Sequence, residues 1–333
     1  MLNLEPTWQG IPLEVKEHIV QLLDYKSRFR LRVCSKSDKD LVEYCPISLT
    51  EVSIYLTSMQ ENSTLSHLHI KNGEDNLVIS TNIIEHFFGI FKSSLSTVQS
   101  LIFSFNPLDT IQSTGMLAKI QSLSQTTKVR AEKVYFKTTG ASNEDFLKIF
   151  VIFKAKHLQT ISFRQIVPPQ LVEKLVEMDG WKCARRIYLH GKQNVPMDSV
   201  LHLNMMRIPM NNLTAADACK LVNAFVTREN LEPGFGFRIT YTCDLTEEEI
   251  AAEFKTAPCV VPFSYQHENQ HKRSYHFATN TDGIVFVLRM RKSPFGCKDF
   301  EAYACNRGQD IDQEFFEYGS AAAPDHVRMN RRV

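Results

Sequence analysis

The 333-residue chain has no excess of charge: 38 lysines and arginines face 37 aspartates and glutamates, a formal net charge of +1. A balance this close offers no long-range field to nucleic acid or to an anionic membrane. No basic run interleaved with aromatics makes up for it. Long apolar runs are missing as well. The longest, residues 149–153, is far too short to cross a bilayer. The first six residues show no charged segment ahead of an apolar core, so no secretory signal is expected. Eight cysteines are present without one Cys-x-x-Cys pair, which predicts reduced, mostly buried thiols in an intracellular protein, cytoplasmic and/or nuclear. Motifs for phosphate cradles, nucleophile elbows and kinases are lacking too. Gly234-Phe-Gly236 has no third glycine ahead of a helix and precedes a strand, so a dinucleotide site is not expected. No cofactor is expected.

Apolar residues at 43% and charged residues at 23% are ordinary for a globular chain, and the length suits one large or two moderate domains. Residues 8–42 are the most informative. Pro12 stands where a helix would begin, a position that needs no N–H partner. Val15, Ile19, Leu22 and Leu23 follow at helical spacing as one apolar face. After a polar break at residues 24–27 comes a second short apolar-spaced segment, residues 29–41. Small helices this apolar need a partner surface.

The wording of that stretch resembles an F-box. The matching pieces are Ile11-Pro12-Leu13-Glu14, then Ile19, Leu22 and Leu23, then Arg32-Val33-Cys34-Ser35-Lys36. Ser37 and Asp38 stand where that family often has an aromatic residue. The resemblance implies a three-helix module at residues 5–45 that docks on a Skp-type adaptor and through it on cullin. Ile11, Pro12, Leu13, Ile19, Leu23, Leu31 and Val33 are the residues expected to fill the adaptor groove.

From about residue 50 the chain alternates short strands with amphipathic helices. Strand candidates centred on Leu68, Leu101, Val134, Ile161, Ile187 and Leu203 share the form apolar-x-x-apolar-x-apolar, the core of a leucine-rich-repeat strand. Their steps of 33, 33, 27, 26 and 16 residues are irregular. Helices are expected at Ile83, Ile84, Phe87, Phe88 and Phe91, after Ser142 with its capping box, at Pro168-Pro169, after Thr214, and after Thr246 with a second capping box. The expected class is α/β: an irregular leucine-rich-repeat-like horseshoe over residues 50–245, with a cap at 246–318 built around a hairpin turning at residues 280–283, and a disordered tail at 319–333. An open α/β sheet is the alternative.

Within this part, Gly180-Trp181-Lys-Cys-Ala184-Arg-Arg-Ile-Tyr-Leu-His-Gly191 looks like the signature of the FTH domain, with Gly180 where a glutamine is usual. Leu158-Gln-Thr-Ile161 before it, and Leu213-Thr214, Asp217 and Phe237-Arg-Ile239 after it, fall in that family's order, over about residues 136–242. That domain accompanies F-boxes in a large nematode family.

The sharpest catalytic pattern is His267-Glu268-Asn269-Gln270-His271, a formal zinc-protease motif. Its surroundings, residues 266–274, are polar throughout, so an exposed loop is expected and no metal site. The pieces together predict a non-catalytic substrate receptor of an SCF-type ubiquitin ligase. Its repeat-like domain would bind an unidentified target protein through exposed strand-face residues, with His67, His69, Tyr135, Lys137, Arg164 and Arg186 as candidates by alternation. Neither nucleic acid nor membrane is an expected partner. A scaffold that binds proteins without ubiquitin chemistry is the alternative.

Overall fold

The computed structural model describes residues 7–57, 66–106, 110–138, 142–256, 262–264, 274–292 and 297–307. The chain forms two compact units, Met1–Ala184 and Arg185–Val333. The first opens with a single 3-10 turn at Trp8–Gly10, then α1 (Leu13–Leu22), α2 (Tyr25–Arg32) and α3 (Lys36–Tyr44). Each start has a local cause. Pro12 precedes α1. The Asp24 carboxylate accepts from the Ser27 N–H at 2.6 Å, and the Ser35 hydroxyl accepts from the Asp38 N–H at 3.0 Å.

The chain continues through β1 (Ser48–Thr57), β2 (His67–Asn72), β3 (Asp75–Ile79), α4 (Ile83–Ile90), β4 (Thr97–Asn106) and α5 (Thr110–Thr126). It then forms β5 (Ala131–Thr138), α6 (Asn143–Phe150), β6 (Thr160–Ile166), α7 (Pro169–Leu175) and α8 (Asp179–Cys183). The strands lie in the order β6-β5-β4-β1-β2-β3. Strands β1, β4, β5 and β6 are parallel neighbours, whereas β1, β2 and β3 pair antiparallel. The strand around Leu68 is therefore not the first of a parallel repeat series. Its connection to β3 is a tight turn with Gly73 at φ 62°, and so short a link can join antiparallel strands alone.

One face of this sheet buries Val52, Leu101, Phe103, Val134, Phe136 and Phe163. The Phe103 ring lies 6.5 Å from Phe87 of α4, and Phe136 lies 4.9 Å from Phe146 of α6. Ring pairs of this kind add about 0.5–1.5 kcal/mol each beyond their burial. Helix α5 was not expected. Its sequence is rich in Ser, Gln and Thr, and the buried positions Leu117, Ile120 and Ser124 make only a thin stripe. Tertiary burial rather than propensity holds such a helix. Trp181 is fully buried, and Gly180 lets the Phe150 ring approach, since a Cβ there would lie 2.8 Å from Phe150 Cε1.

The second unit contains β7 (Arg186–His190), β8 (Met205–Met210), α9 (Ala215–Val226), β9 (Gly236–Tyr241) and α10 (Glu247–Thr256), followed by β10 (Pro262–Ser264), β11 (Ser274–Ala278), β12 (Ile284–Lys292) and β13 (Lys298–Asn306). Their order is β7-β8-β9-β13-β12-β11-β10. Strands β7 to β9 are parallel and the others antiparallel. The strand expected at residues 200–205 instead begins at Met205, behind a 3-10 turn at Met197–Ser199. Leu203 is fully buried, but in a turn whose carbonyl is taken by Arg228 at 2.8 Å. Strands β11 and β12 form a hairpin whose turn includes Gly283 at φ 75°. Strand β13, not recognised from the sequence, joins that hairpin to β9. Helices α9 and α10 lie on one face: Phe225 stacks 5.2 Å from Phe286, and Phe254 lies 5.3 Å from Phe277.

Gly236 marks the tightest approach in this sheet. A Cβ there would come within 2.1 Å of the Ala302 carbonyl oxygen and 2.8 Å of Tyr303 Cα, both backbone atoms of β13 that cannot swing away. Gly236→Ala is expected to destabilise the second unit by about 3 kcal/mol, read as a lowered unfolding midpoint with early proteolysis beyond residue 185.

Candidate functional site

At 3.6 residues per turn, Val15, Ile19, Leu22 and Leu23 span a sector of α1 about 100° wide. That sector faces out of the three-helix module. Leu22 is 74% exposed and Val15 47%, while Ile19 and Leu23 are half-buried. The side chain that enters the module's own core is Val20, packed with Leu41 and Cys45 and flanked by Trp8, Leu31 and Val42. The module's core is thus small, and its apolar stripe is left for something else. Pro12 is exposed, with Leu13 at 58%, Val33 at 70% and Tyr44 at 68%.

Of the seven residues expected to contact an adaptor, Pro12, Leu13 and Val33 are therefore exposed. Ile11, Ile19 and Leu23 are half-buried, and Leu31 leans into the module's core. Leu22, Val15 and Tyr44, outside those seven, are exposed as well. For the first two the signal was present, because both belong to the sequence stripe.

The module is held in shape by Arg28, which is buried. Its guanidinium donates to the carbonyls of Gln21 (3.1 Å) and Leu23 (3.2 Å) at the end of α1. It also donates to the carbonyls of Cys45 (3.4 Å) and Pro46 (2.9 Å) beyond α3. Those are carbonyls that helix ends leave without intrahelical partners. Asp38, at the position where an aromatic was expected, accepts from the Trp8 indole N–H at 2.7 Å and from the Ser35 hydroxyl at 2.7 Å. Both bonds favour the ionised form, and they hold its carboxyl below the ordinary value.

Module and α4 are joined through Glu43, a buried carboxylate paired with Arg32 and Lys92. Arg32 also donates to His86 Nδ1 at 2.9 Å. An arginine can only donate, so His86 there is neutral, with its proton on Nε2. The void beside this joint measures about 20 Å³ and is lined by Tyr25, Arg28, Arg32, Glu43 and Gly89, among others. It has room for about one water.

Two family models match the chain: the F-box domain over residues 8–49 and the FTH domain over residues 115–257. The chain is an F-box protein with an FTH domain. No curated protein and no solved structure matches it. F-box domains generally bind a Skp-type adaptor and through it cullin, and F-box and FTH domains are typical of non-catalytic adaptor proteins. Among the described residues no cluster of potential metal ligands occurs, and no helix is long and apolar enough to cross a membrane. The His267–His271 motif lies outside the described residues.

Beyond the F-box, five of the six residues expected to contact a target share one sheet face in the first unit. Cross-strand pairing sets His69, Ser53, Ile102, Tyr135 and Ser162 in one row, and His67, Tyr55, Ser104 and Lys137 in the next. The face is more enclosed than alternation implied. Tyr135 is 9% exposed, with the Arg164 guanidinium 5.4 Å from its ring centroid. Tyr135 is thus a largely enclosed ring beneath Arg164 rather than an open side chain. His67 stacks on Tyr55 at 4.5 Å, and His69 bonds Asn76. Burial, helped by the nearby Arg164 charge, holds the Lys137 ammonium below its ordinary value. Arg186 lies in the second unit, at the start of β7, and is exposed.

Two outcomes are expected for the F-box. Arg28→Ala leaves four carbonyls short of a donor and is expected to cost about 3 kcal/mol, seen as accelerated amide exchange over α1 to α3. His86 is held below its ordinary value by burial first and Arg32 second. Its folded pKa lies under the unfolded value of about 6.5, so its contribution to stability is complete above pH 6.5 and is lost below it, as pH falls through the folded pKa. Because burial shifts His157 and His276 the same way, His86→Gln should make the loss of unfolding free energy between pH 7.5 and 5.5 shallower without abolishing it.

Proposed function

We propose that the chain is the substrate-receptor subunit of an SCF-type ubiquitin ligase. The observation that carries this reading is the outward apolar sector of α1, on the module that the F-box model matches. Val15 and Leu22 lie exposed in that sector, Pro12, Leu13 and Val33 are exposed elsewhere on the module, and all five would seat in the adaptor, with Ile11, Ile19 and Leu23 at the rim. Buried aliphatic anchors of this kind are worth about 1–3 kcal/mol each. Catalysis then belongs to other subunits, and this protein supplies proximity by holding a target beside the ubiquitin carrier.

The Glu43 joint supports the same reading. A receptor must hold its target at a fixed place relative to the adaptor, and Arg32, Lys92 and His86 tie the F-box to α4 of the first unit. The strand faces beyond it are the target-binding surface in this reading, with β10 to β13 closing the apolar end of a repeat-like α/β domain. The complex is intracellular, where its partners reside.

Co-expression with a Skp-type adaptor and size-exclusion chromatography tests the assignment. The wild-type chain is expected to elute as a stoichiometric complex. Pro12→Ala with Leu13→Ala should weaken it by at least about 30-fold with the unfolding midpoint unchanged, because both side chains are exposed. Undiminished co-elution of the double variant would sink this surface as the docking site.

A further inference from the structure

The sheet face of the first unit opposite α4 and α6 is short of negative charge where β4, β5 and β6 run side by side. Cross-strand pairing sets Ser100, Lys133 and Thr160 in one row, and Ile102, Tyr135 and Ser162 in the next. Ser104 and Lys137 pair in the row beyond, and the same register brings Arg164 of β6 beside Lys137. Among the described side chains of these three strands, that face carries three cations, Lys133, Lys137 and Arg164, and no carboxylate. None of the three pairs with a carboxylate from elsewhere among the described residues. Glu51 of β1 shares the face, but it belongs to the row of Lys133 rather than to that of Lys137.

The geometry singles out Lys137 and Arg164. The Arg164 guanidinium lies over Tyr135, 5.4 Å from its ring centroid, and its Nη2 atom is enclosed with no acceptor among the described residues. An enclosed N–H without a partner is costly, and an anion beside it removes the cost. The row beneath is shielded from water: Ile102, Tyr135 and Ser162 are all buried. Charges above such ground are screened less than on an open surface. Burial first, and the Arg164 charge second, hold the Lys137 ammonium below its ordinary value. Two positive charges thus stand about one strand spacing, 4.8 Å, apart with nothing between them to offset their repulsion. Their donors suit a carboxylate, with the planar fork for one oxygen and the ammonium for the other. A phosphate would bring a third oxygen, and the neighbouring Ser104 hydroxyl is already engaged, donating to the Lys137 carbonyl at 3.3 Å.

We propose that Lys137 and Arg164 form a binding site for one carboxylate, the side chain of an Asp or Glu presented by the target protein. Naming the occupant as a target rests on the receptor reading, whereas the chemistry of the site does not. The test is NMR of the full chain in its adaptor complex, with isotope-labelled arginine side chains. The Arg164 Nε–H signal is assigned by its loss in Arg164→Lys. Four small probes are titrated: glutamate blocked at both ends, glutamine blocked at both ends, N-acetylglutamine with its chain-terminal carboxylate free, and blocked phosphoserine.

Blocked glutamate is expected to shift the Arg164 signal saturably, and blocked glutamine not at all. Lys137→Gln should weaken that binding at least fivefold. The control Lys133→Gln removes the same charge from the same strand and face, about 13 Å away, and should leave binding unchanged. If Lys137→Gln lowers the unfolding midpoint, Lys137→Met replaces it, with the same direction expected. No shift with blocked glutamate, an equal shift with blocked glutamine, or equal weakening in the control would overturn the proposal. So would tighter binding of blocked phosphoserine, or a response confined to the free chain terminus. Failure to form the adaptor complex would count against the receptor reading instead, and the titration would then be made on the chain alone.

Discussion

Three guanidinium groups, those of Arg28 and Arg130 buried and that of Arg228 half-buried, hold the turns of this chain. Arg28 collects carbonyls from the ends of α1 and α3. Arg130 collects those of Phe91, Ser93 and Ser96, where the chain leaves α4 for β4. Arg228 takes Leu201 at 2.7 Å and Leu203 at 2.8 Å on the way into β8. The constraint is the same each time: a helix end or an irregular turn inside the protein leaves carbonyls that must find donors. An arginine brings five N–H groups in one planar fork and stays charged when buried. Arg228 illustrates the margin: burial pulls its pKa down to about 10, still well above neutrality.

With the turns fixed in this way, the sheets can spend their apolar side chains on one face. In the first unit that face is phenylalanine-rich and covered by helices, while the other carries histidine, tyrosine, lysine and serine. In the second unit Phe225, Phe237 and Phe286 pack together on one side, and the other bears arginines with two carboxylates. The F-box inverts the pattern. Its core is too small to use all its aliphatic residues, so α1 turns Val15 and Leu22 outward. The apolar surface left over on this small module is the part that its own core does not use.

Much of the local structure was legible. Ser142, Thr214 and Thr246 each cap the helix that their spacing announced, and the Thr246–Glu249 box closes in both directions, at 2.7 and 3.2 Å. What escaped had physical reasons. Helix α5 offers a stripe too thin to detect, and β13 alternates charged Asp299 and Glu301 with Phe300 and Ala302 in a strand that is buried on both faces. Carboxylates can be placed there because arginines on adjacent strands meet them, and one of these, Arg238, lies 61 residues from Asp299 in sequence. For the same reason none of the three carbonyl-collecting arginines was predicted.

The sequence by itself determined the starts of α1, α4, α6, α7, α9 and α10, the apolar face of α1, most of the strand positions and the F-box and FTH resemblances. These depend on residues a few positions apart, whose relation is set by 3.6-residue and two-residue periodicities. The tertiary structure alone decided which way the α1 stripe faces, that β2 runs antiparallel, that Tyr135 is enclosed, and that, among the described strand positions of the second unit, five arginines share one face with two carboxylates. Each of those depends on which strand lies beside which. That is settled by burial and pairing across the whole unit, where local periodicity carries no information.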